Sequence, residues 1–376
     1  MQVKSDMKAF FTIKTLAYSV GGAEKLVCAL AGLLAERGFE VHVLTFDRAE
    51  DVPFFHLHPA IIRHFAAVGD PSKKTRLSTL PRLLHAIRRE ITAVRPDVVF
   101  AFMHSSFVPV IAALAGTGIP VVLSEHTTPQ HYKDRKLEFW ALRIGSFFAR
   151  SITIISQKIA ALYPCDMRRK MAVLPNPVFS DFVDGCADKV EGQKTVLSVG
   201  RLDRGKDHAV LINAFANIEK IFPDWDLLIV GEGPERSNLE TMIRNLGLET
   251  RVRLPGIVKD LDRVYSESSL FVMPSRYENF GMVTVEAMSH ALPVIGFQDC
   301  TGTNELVAHE QTGLLVAKRS PDDLSTAMES LMRDAGVRVS YGTKGREAAK
   351  RYMPENVGKE WAMYLRGLVS KSMEKV

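Results

Sequence analysis

The stretch VLSVGRLDRGKDHAV, residues 196–210, decides the fold. It begins with an apolar run that ends at Gly200, and a helical pattern begins after Lys206. A short apolar run, a charged loop and a helical pattern together predict a β-strand followed by an α-helix. The polar residues after such a strand are where a function should be sought, because ligands of open α/β sheets bind outside the carboxyl ends of the strands.

The same alternation of apolar runs and amphipathic stretches recurs along the whole chain. In the first half we predict strands at 8–14, 41–46, 97–102, 120–124, 152–155 and 171–174. In the second half we predict strands at 194–200, 226–231, 251–254, 269–273, 293–296 and 313–316. Strands that alternate with helices form parallel sheets covered by helices. Because the pattern occurs twice, we predict an α/β protein of two doubly wound domains.

The boundary between the two domains is predicted in LPNPVFSDFVDGCADKVEGQ, residues 174–193, which is rich in proline, glycine and acidic residues and has no periodicity. We assign residues 1–178 to an N-terminal domain and 179–354 to a C-terminal domain. The chain then ends in one amphipathic helix, 355–376. Its apolar side chains recur at helical spacing: Trp361, Tyr364, Leu365 and Leu368.

The composition is that of a globular protein with a large core, since 46% of its 376 residues are hydrophobic and 24% are charged. The four cysteines are far apart and include no CxxC pair, which predicts reduced thiols in a cytosolic protein without a zinc site. The apolar run at the N-terminus is too short for a signal peptide. The long apolar segment that begins at Asp97 is interrupted at 104–106 and 116–120, so we interpret it as a buried βαβ unit rather than a membrane span.

Positive charge is concentrated in the first half of the chain. Residues 1–175 contain 23 Lys and Arg against 14 Asp and Glu, and the remainder contains 25 against 29. Segments 73–89 and 133–150 mix these cations with Leu, Phe and Trp at helical spacing. Such segments lie on an anionic membrane, or they turn an apolar stripe to the core and a basic face to water. No nucleic-acid recognition motif is present, so we expect no nucleic-acid partner.

Gly200, Gly205 and Lys206 have the spacing of a P-loop, which would indicate a nucleoside triphosphatase. A P-loop lysine is followed by Ser or Thr, which holds Mg²⁺, and here Asp207 follows. No later strand ends in a recognisable magnesium-binding Asp. We therefore interpret the glycine spacing as coincidence. Arg201 and Lys206 are predicted to clamp a diphosphate without a metal, and the alternative is that both are solvated surface cations.

Three other predicted strand ends are candidates for ligand contact. Gly21-Gly22 opens a helix whose first N–H groups attract phosphate, or it is a plain turn. GEGP, residues 231–234, is either a turn over a base or ribose or a bare helix entry. His126 directly follows a strand, where it can bind a ligand or move a proton, although histidines are common in this half of the chain.

The segment ENFGMVTVE, residues 278–286, carries two carboxylates after another predicted strand. Glu278 lies in the loop, Gly281 at the start of a helix, and Glu286 about a turn and a half into it. Ionised carboxylates only accept hydrogen bonds, which suits sugar hydroxyls, and a helix N-terminus suits anionic groups. A solvated helix is the alternative for these two residues alone. With the cations after strand 194–200, they predict a site for a nucleoside-diphosphate sugar.

Taken together and in this order, these motifs resemble glycosyltransferase family 4, whose members have the GT-B fold of two Rossmann-like domains that face each other across a cleft. The resemblance covers essentially the whole chain. The matching segments are GGAE at 21–24, SEH at 124–126, VGRLDRGK at 199–206, VGEGPE at 230–235, LPGIV at 254–258 and ENFGMVTVE at 278–286. The last segment contains the E-x7-E motif of retaining members.

The resemblance implies roles for the residues that hold the nucleotide. Gly21 and Gly22 would border the donor phosphates and the acceptor cleft. Arg201 and Lys206 would bind the diphosphate. Val258 would lie in the loop that frames the base.

The resemblance also implies roles at the transferred sugar. Glu278 would contact its hydroxyls, and His126 would reach it from the N-terminal domain. Glu286 would bind the ribose hydroxyls. Backbone N–H groups for sugar and phosphate would come from Gly281, Met282 and Val283. The final helix would pack on the N-terminal domain.

The implied reaction moves a hexose or N-acetylhexosamine from a nucleotide sugar, expected to be a UDP-sugar, to a hydroxyl of a lipid-linked or polysaccharide acceptor in bacterial glycan assembly. The anomeric configuration would be retained, and no metal or other cofactor is expected. Among members of that family, the sequence resembles those that lengthen sugars on undecaprenyl diphosphate, including N-acetylgalactosamine-adding enzymes. Their acceptor predicts a cytoplasmic protein at the inner face of the membrane. The loop QDCTGTNELV, 298–307, departs from the commoner Gly-Pro-Ser-Glu form, so the donor sugar stays open.

The residues alone leave three alternative functions open. A P-loop triphosphatase is disfavoured by Asp207. A sugar-nucleotide epimerase of the same fold would need no separate acceptor. A non-catalytic scaffold would be expected to have lost Arg201, Lys206, Glu278 or Glu286, and all four are present.

Overall fold

The computed structural model describes residues 7–18, 22–73, 76–180 and 194–373, and the chain divides into two compact units. The first unit comprises Met1–Pro177 and Pro354–Val376, and the second comprises Val178–Met353. Each unit contains one sheet of parallel strands with helices between them. Fold class α/β was therefore predicted correctly from the alternating pattern.

The first unit is built on a seven-stranded sheet in the order β3-β2-β1-β4-β5-β6-β7. Its strands are β1 (Lys8–Thr12), β2 (Glu40–Thr45), β3 (Ile62–Phe65), β4 (Val98–Phe102), β5 (Val121–Glu125), β6 (Ser151–Ile154) and β7 (Met171–Val173). Its helices before the second unit are α1 (Gly22–Ala35), α2 (Leu80–Val94), α3 (His104–Leu114), α4 (Lys136–Phe148), α5 (Gln157–Ala161) and α6 (Cys165–Arg168). Short 3-10 turns occupy Leu77–Thr79 and Pro129–Tyr132.

Strand β3 was missed in the sequence. It pairs in parallel with β2 at the edge of the sheet, and its residues are half-buried or exposed. An edge strand is covered on fewer sides than a central one, so its sequence, IRHF, carries no continuous apolar run. The apolar-run criterion that identified the other strands therefore does not detect it.

The second unit is built on a six-stranded sheet in the order β10-β9-β8-β11-β12-β13. Its strands are β8 (Thr195–Val199), β9 (Asp226–Val230), β10 (Val252–Gly256), β11 (Leu270–Met273), β12 (Val294–Phe297) and β13 (Gly313–Val316). Its helices are α7 (His208–Ile218), α8 (Arg236–Asn245), α9 (Leu261–Ser266), α10 (Met282–Ser289), α11 (Thr301–Leu306), α12 (Pro321–Arg333) and α13 (Ala335–Ala349), followed by a 3-10 turn at Lys350–Tyr352.

The strand order of the second sheet indicates where a ligand would bind. Strand β8 lies between β9 and β11, so the order of the chain reverses between β8 and β11. In open α/β sheets ligands bind outside the carboxyl ends of the strands at such a reversal. The loops after β8 and β11 are the ones that carry Arg201, Lys206 and Glu278.

The last helix, α14 (Pro354–Met373), belongs to the first unit. Trp361 is fully buried, donates its indole N–H to the carbonyl of Pro175 at 3.3 Å, and packs on Phe100 of β4. Leu365 is also fully buried. Burying an apolar side chain of this size contributes about 1.5–3 kcal/mol, so the helix is held by the core of the first unit rather than by its own propensity.

Candidate functional site

The loop between β8 and α7 is closed by its own backbone and by Asp203. The Asp203 carboxylate accepts the N–H groups of Gly205 at 2.9 Å and Lys206 at 3.0 Å. The N–H of Gly200 donates to the carbonyl of Val230, the last residue of β9, and the N–H of Leu202 donates to the carbonyl of Glu232 in the loop after it. A P-loop holds phosphate with free backbone N–H groups. Here the N–H groups of both glycines and of Lys206 already have protein acceptors, so the loop is not built as a P-loop.

Asp207, which stands where a P-loop has Ser or Thr, faces two arginines. Its carboxylate lies 2.8 Å from Arg276 and 3.8 Å from Arg319. It starts α7 in the left-handed conformation, with φ 51°, and its side chain does not cap the helix. The negative charge is therefore balanced by guanidinium groups of the protein, and the carboxylate is not positioned as a magnesium ligand beside a triphosphate.

The GEGP turn after β9 packs on this loop. A Cβ on Gly231 would lie 1.9 Å from the carbonyl oxygen of Gly200, and one on Gly233 would lie 2.3 Å from that of Leu202. Real Cβ atoms never come so close, so both positions require glycine. The packing of this turn on the β8–α7 loop explains both glycines, and contact of the turn with a base or ribose stays a prediction.

The two cations predicted to bind a diphosphate differ in their surroundings. The Arg201 side chain is 72% exposed, and its Nε lies 3.7 Å from Asp203. Lys206 is more buried and donates a hydrogen bond to Oε1 of Glu278. The structure therefore brings Lys206 and Glu278 together, one from the loop after β8 and one from the loop after β11. Arg201 lies on the same loop as Lys206 and projects into solvent.

Glu278 is fixed on three sides. The same Oε1 accepts the hydroxyl of Ser275 at 2.7 Å, and the Glu278 carbonyl accepts the N–H of Gly302 at 3.1 Å. A Cβ on Gly302 would lie 2.7 Å from that carbonyl oxygen. The segment 298–307, which departs from the commoner family sequence and contains α11, therefore supports the backbone of Glu278 through Gly302.

The start of α10 supplies backbone donors. Gly281 precedes the helix in the left-handed conformation, with φ 82°, which a glycine adopts without strain. The first N–H groups of a helix lack intrahelical acceptors, and Met282 and Val283 are only half-buried. These N–H groups, at the positive end of the helix dipole, are suited to an anionic ligand.

Glu286 lies inside this helix, 9% exposed, and accepts a hydrogen bond from the hydroxyl of Tyr265 at 3.0 Å. Burial, and then the neighbouring Glu286 charge, hold the pKa of the Tyr265 phenol well above its ordinary value, so Tyr265 stays a donor. Its ring stacks on His290, whose Nδ1 lies 3.0 Å from the Glu286 carbonyl. Tyr265 was not found in the sequence, because nothing in the motif around it distinguishes it from a core aromatic residue.

Arg319 was also missed, and it connects the loops of the site. Its guanidinium donates to the carbonyls of Pro274 at 2.8 Å and Ser275 at 3.0 Å and to the Asp299 carboxylate at 2.6 Å. It also stacks on Phe297 at 4.1 Å from the ring centroid. The loops after β11, β12 and β13 are thereby joined through one side chain, and the first of them is the loop that carries Glu278.

Val258 lies in the loop between β10 and α9, where the resemblance placed it, and its side chain is half-buried. Gly22 begins α1 in the first unit, and Gly21 lies outside the described residues.

Among the described residues, no group of three or more His, Cys, Asp or Glu side chains is arranged to hold a metal ion.

His126 follows β5 in the first unit and is 8% exposed. Its ring stacks on Phe102, and its Nε2 lies 2.8 Å from the hydroxyl of Ser124, which accepts a hydrogen bond from Thr153 at 2.8 Å. Burial lowers its pKa to about 4. The imidazole is thus neutral near pH 7, and its Nδ1 is buried with no hydrogen-bond partner among the described residues. A neutral ring with one uncommitted nitrogen suits hydrogen bonding to a hydroxyl.

Glu125, next to His126, is a structural carboxylate. It is fully buried and accepts hydrogen bonds from the N–H and hydroxyl of Thr127, at 2.9 and 2.5 Å, and from the hydroxyl of Tyr132 at 2.8 Å. Burial raises its pKa. These three donors satisfy the carboxylate, so it holds the loop after β5 and leaves His126 as the residue suited to a ligand.

The two basic amphipathic segments behave differently. The apolar residues of α2, within the predicted segment 73–89, face the core: Leu83, Ala86 and Ile87 are buried. The apolar stripe of that helix therefore faces the core, and contact of segment 73–89 with a membrane stays a prediction. Helix α4, within 133–150, instead exposes a row of apolar side chains: Leu137, Trp140, Ile144, Phe147 and Phe148. No helix in the described ranges is both long and apolar enough to cross a bilayer.

Comparison with known proteins identifies the family to which the chain belongs. Residues 20–182 match the model of Glycosyltransferase Family 4, and residues 186–348 match that of Glycosyl transferases group 1. A D-inositol 3-phosphate glycosyltransferase of Pseudarthrobacter chlorophenolicus is 30% identical over 86% of this chain and 84% of its own length. The chain belongs to glycosyltransferase family 4. It is therefore a glycosyltransferase, and the resemblance that was inferred from six short motifs is confirmed.

Two further similarities bear on subtype and fold. An N-acetylgalactosamine-N,N'-diacetylbacillosaminyl-diphospho-undecaprenol 4-alpha-N-acetylgalactosaminyltransferase of Campylobacter jejuni is 26% identical over 92% of this chain and 96% of its own length. The crystal structure of HepE of Anabaena in complex with UDP superposes with a TM-score of 0.78, at 21% identity, over 96% of this chain and all of that one. The GT-B fold predicted from the sequence is thus confirmed. The roles predicted for individual residues stay predictions.

Proposed function

We propose that this glycosyltransferase moves a hexose or N-acetylhexosamine from a UDP-sugar to a hydroxyl of a lipid-linked glycan, with retention of the anomeric configuration and without a metal ion. The observation that carries the proposal is the array at the reversal of the second sheet: Lys206 paired with Glu278 beside the N-terminus of α10. Such an array offers positive charge to a diphosphate and a carboxylate to sugar hydroxyls within one site.

The leaving diphosphate gathers negative charge as the bond from its oxygen to the anomeric carbon breaks. Lys206, Arg201 and the N–H groups at the start of α10 are the donors proposed to stabilise that charge. Preorganised donors act most strongly on charge that develops in the transition state. They supply the function that a metal ion has in other sugar transferases, which supports the metal-independent reaction.

The acceptor hydroxyl attacks the anomeric carbon on the face from which the diphosphate departs. The bond from the acceptor oxygen to the sugar forms, the bond to the phosphate oxygen breaks, and the hydroxyl proton passes to that phosphate oxygen. No side-chain nucleophile is needed. The lowered pKa of His126 makes it a weak proton acceptor, so we assign it to hydrogen bonding with the transferred sugar. Glu278 would hold the sugar hydroxyls, and Glu286 the ribose hydroxyls.

UDP is favoured as the nucleotide because HepE, which shares the fold, was solved with UDP. The lipid-linked acceptor is favoured because the Campylobacter relative is named for an undecaprenol diphosphate substrate. The exposed apolar row of α4 lies among cations, which supports peripheral contact with an anionic membrane at its cytoplasmic face. Family membership favours the transferase over a sugar-nucleotide epimerase.

The proposal is tested by isothermal titration with UDP-, GDP- and ADP-sugars, first without divalent metal and then with it. We expect one UDP-sugar to bind without metal, and Glu286→Ala to abolish that binding. The matched control is Glu329→Ala, which removes a half-buried carboxylate that pairs with its helical neighbour Arg333. Binding that requires metal, or survives Glu286→Ala, would contradict the proposed site. The anomeric configuration of the product, read by NMR, tests retention separately.

A further inference from the structure

His126 lies at the end of a short chain of hydroxyl groups inside the first sheet. Its Nε2 lies 2.8 Å from the hydroxyl of Ser124, and that hydroxyl lies 2.8 Å from the hydroxyl of Thr153. Ser124 on β5 and Thr153 on β6 face each other in the pairing of the two strands, and both are buried. The chain therefore leads from a neighbouring strand to the histidine that follows β5.

The direction of this chain follows from the protons that are available. Among the described residues, the Thr153 hydroxyl has one hydrogen-bond partner, Ser124. A buried hydroxyl proton needs an acceptor, so Thr153 donates and Ser124 accepts. A serine hydroxyl has a single proton, and here that proton is directed at Nε2 of His126.

The protonation of the His126 ring follows from that direction. The ring is neutral near pH 7, because burial lowers its pKa to about 4. In a neutral imidazole the nitrogen that accepts a hydrogen bond carries no proton, so the proton lies on Nδ1, which has no partner among the described residues. In the reverse direction the Thr153 proton would lack an acceptor with or without a ligand, whereas a ligand oxygen can satisfy an N–H at Nδ1.

We propose that Ser124 and Thr153 are positioning residues that hold His126 in the Nδ1–H tautomer, so that its ring acts on the transferred sugar as a hydrogen-bond donor only. The ligand atom at this ring must then be an acceptor, such as the oxygen of a hydroxyl group. The tautomer depends on the first unit alone. The contact with the sugar rests on the proposed function, which gains the residues that set the ring and the kind of atom that it recognises.

The tautomer is tested by NMR of the whole protein with ¹⁵N-labelled histidines, at pH 7.5 and without a ligand. A ring nitrogen without a proton resonates well downfield of one that carries a proton. We expect an unprotonated Nε2 and a protonated Nδ1 in His126, whose signals are those missing from His126→Asn. Thr153→Val removes the hydroxyl, keeps the branched shape and should populate both tautomers. Thr45→Val, the same change at an equally buried threonine of β2, should leave the His126 signals unchanged.

The effect on the reaction is measured in the same variants. When the ring is no longer held as a donor, kcat/KM for the UDP-sugar should fall roughly three- to tenfold in Thr153→Val and in Ser124→Ala, the range expected for one hydrogen bond. The affinity for UDP alone should stay unchanged, because the proposed ligands of UDP lie in the second unit. A lower melting temperature with unchanged His126 signals would restrict both hydroxyls to a role in stability and overturn the proposal.

Modified UDP-sugars distinguish a donor from an acceptor at this ring. In each analogue one hydroxyl of the transferred sugar is replaced by hydrogen or by fluorine, and fluorine accepts a hydrogen bond weakly but cannot donate one. The hydroxyl that His126 contacts is the one whose replacement by hydrogen weakens binding to the natural protein but not to His126→Ala. At that position we expect the fluorine analogue to bind more tightly than the hydrogen analogue.

Three results would contradict the proposal at different points. A protonated Nε2 in the natural protein would overturn it, whatever the activity of the variants. Equal binding of the fluorine and hydrogen analogues would show that the ring does not donate to the sugar. If no analogue depends on His126 while the NMR signals are as expected, the contact with the sugar is wrong and the tautomer is supported. UDP binding is measured first, and its absence would count against the proposed donor site and not against the tautomer.

Discussion

Lys206 donates a hydrogen bond to Glu278, and the two form an ion pair although 72 residues separate them along the chain. The pair joins the loop after β8 to the loop after β11, at the reversal of the second sheet. One partner is the proposed ligand of the diphosphate and the other the proposed ligand of the transferred sugar. The two halves of a sugar nucleotide would therefore meet groups that already interact with each other.

Glu278→Gln should separate binding of the nucleotide from transfer of the sugar. The neutral amide no longer holds Lys206 by charge, so the affinity for UDP alone should be unchanged or higher. Transfer should fall roughly 100-fold, because the carboxylate that holds the sugar hydroxyls is lost. Calorimetry with UDP and steady-state kinetics with the UDP-sugar measure the two effects. A parallel loss of UDP affinity would mean that Glu278 supports the nucleotide and not the sugar.

Tyr265→Phe should weaken nucleotide binding through Glu286. The buried phenol donates to the Glu286 carboxylate at 3.0 Å, and a hydrogen bond to a charged group contributes about 1.5–3 kcal/mol. In the variant the Glu286 carboxylate is no longer held in place for the ribose, and UDP binding must supply part of that energy. We therefore expect UDP affinity to fall about tenfold. Tyr341→Phe, in a half-buried tyrosine of the same unit, is the control. Unchanged affinity in Tyr265→Phe would separate Tyr265 from the function of Glu286.

Features that depend on local sequence were predictable. Central strands are buried on both faces and need continuous apolar runs, so all of them were found, whereas the edge strand β3 was not. Glu278 and Glu286 could be proposed as site residues because the family motif places both within nine residues of sequence, and their roles stay predictions. The helical period also identified Trp361 and Leu365 as the buried side of α14.

Features that depend on distant partners were not predictable. Arg319 contacts residues 20, 44 and 45 positions away, and nothing in the segment around it indicates those partners. The pairing of Asp207 with Arg276 and Arg319 could not be predicted either. This pairing shows that Asp207 is balanced by protein cations, although the spacing of its loop resembles that of a P-loop. The apolar stripe of α2 faces the core, whereas that of α4 faces solvent. Helical spacing predicts that each stripe exists, but its direction depends on what packs against the helix.

Arg319→Lys should lower the turnover number by about tenfold and leave UDP affinity within a few-fold of the natural protein. Lysine keeps the charge but loses the planar fork that donates to Pro274, Ser275 and Asp299 together. Ser275 donates to Glu278, so a shift of that loop displaces the sugar-binding carboxylate. Arg319→Gln should be worse, since Asp299 and Asp207 then lose a balancing charge.

Kinetics and thermal melting of both variants check this expectation against Arg333→Lys, an exposed arginine that pairs with Glu329 on its own helix. A fall in melting temperature without any change in the turnover number would restrict Arg319 to a role in stability.

His208 should make the second unit sensitive to acid. It is 2% exposed, and burial, then the charge of Lys206, lowers its pKa from 6.5 to about 4. The folded state therefore binds a proton less readily than the unfolded state, so the stabilising effect of the neutral ring is full above pH 6.5 and is lost as the pH falls from 6.5 towards 4. Across that interval the free energy of unfolding should fall by about 3 kcal/mol from this residue.

Melting curves recorded between pH 7.5 and 4 test this expectation. In His208→Gln the pH dependence of the melting temperature should be shallower than in the natural protein, because the unfolded state no longer gains that proton. His309→Gln, at an exposed histidine of the same unit, should leave the slope unchanged. If His208→Gln lowers the melting temperature equally at every pH, the residue acts through packing alone, and the acid sensitivity has its source in other groups. His126, with a pKa of about 4 in the first unit, is then the next histidine to be tested in the same way.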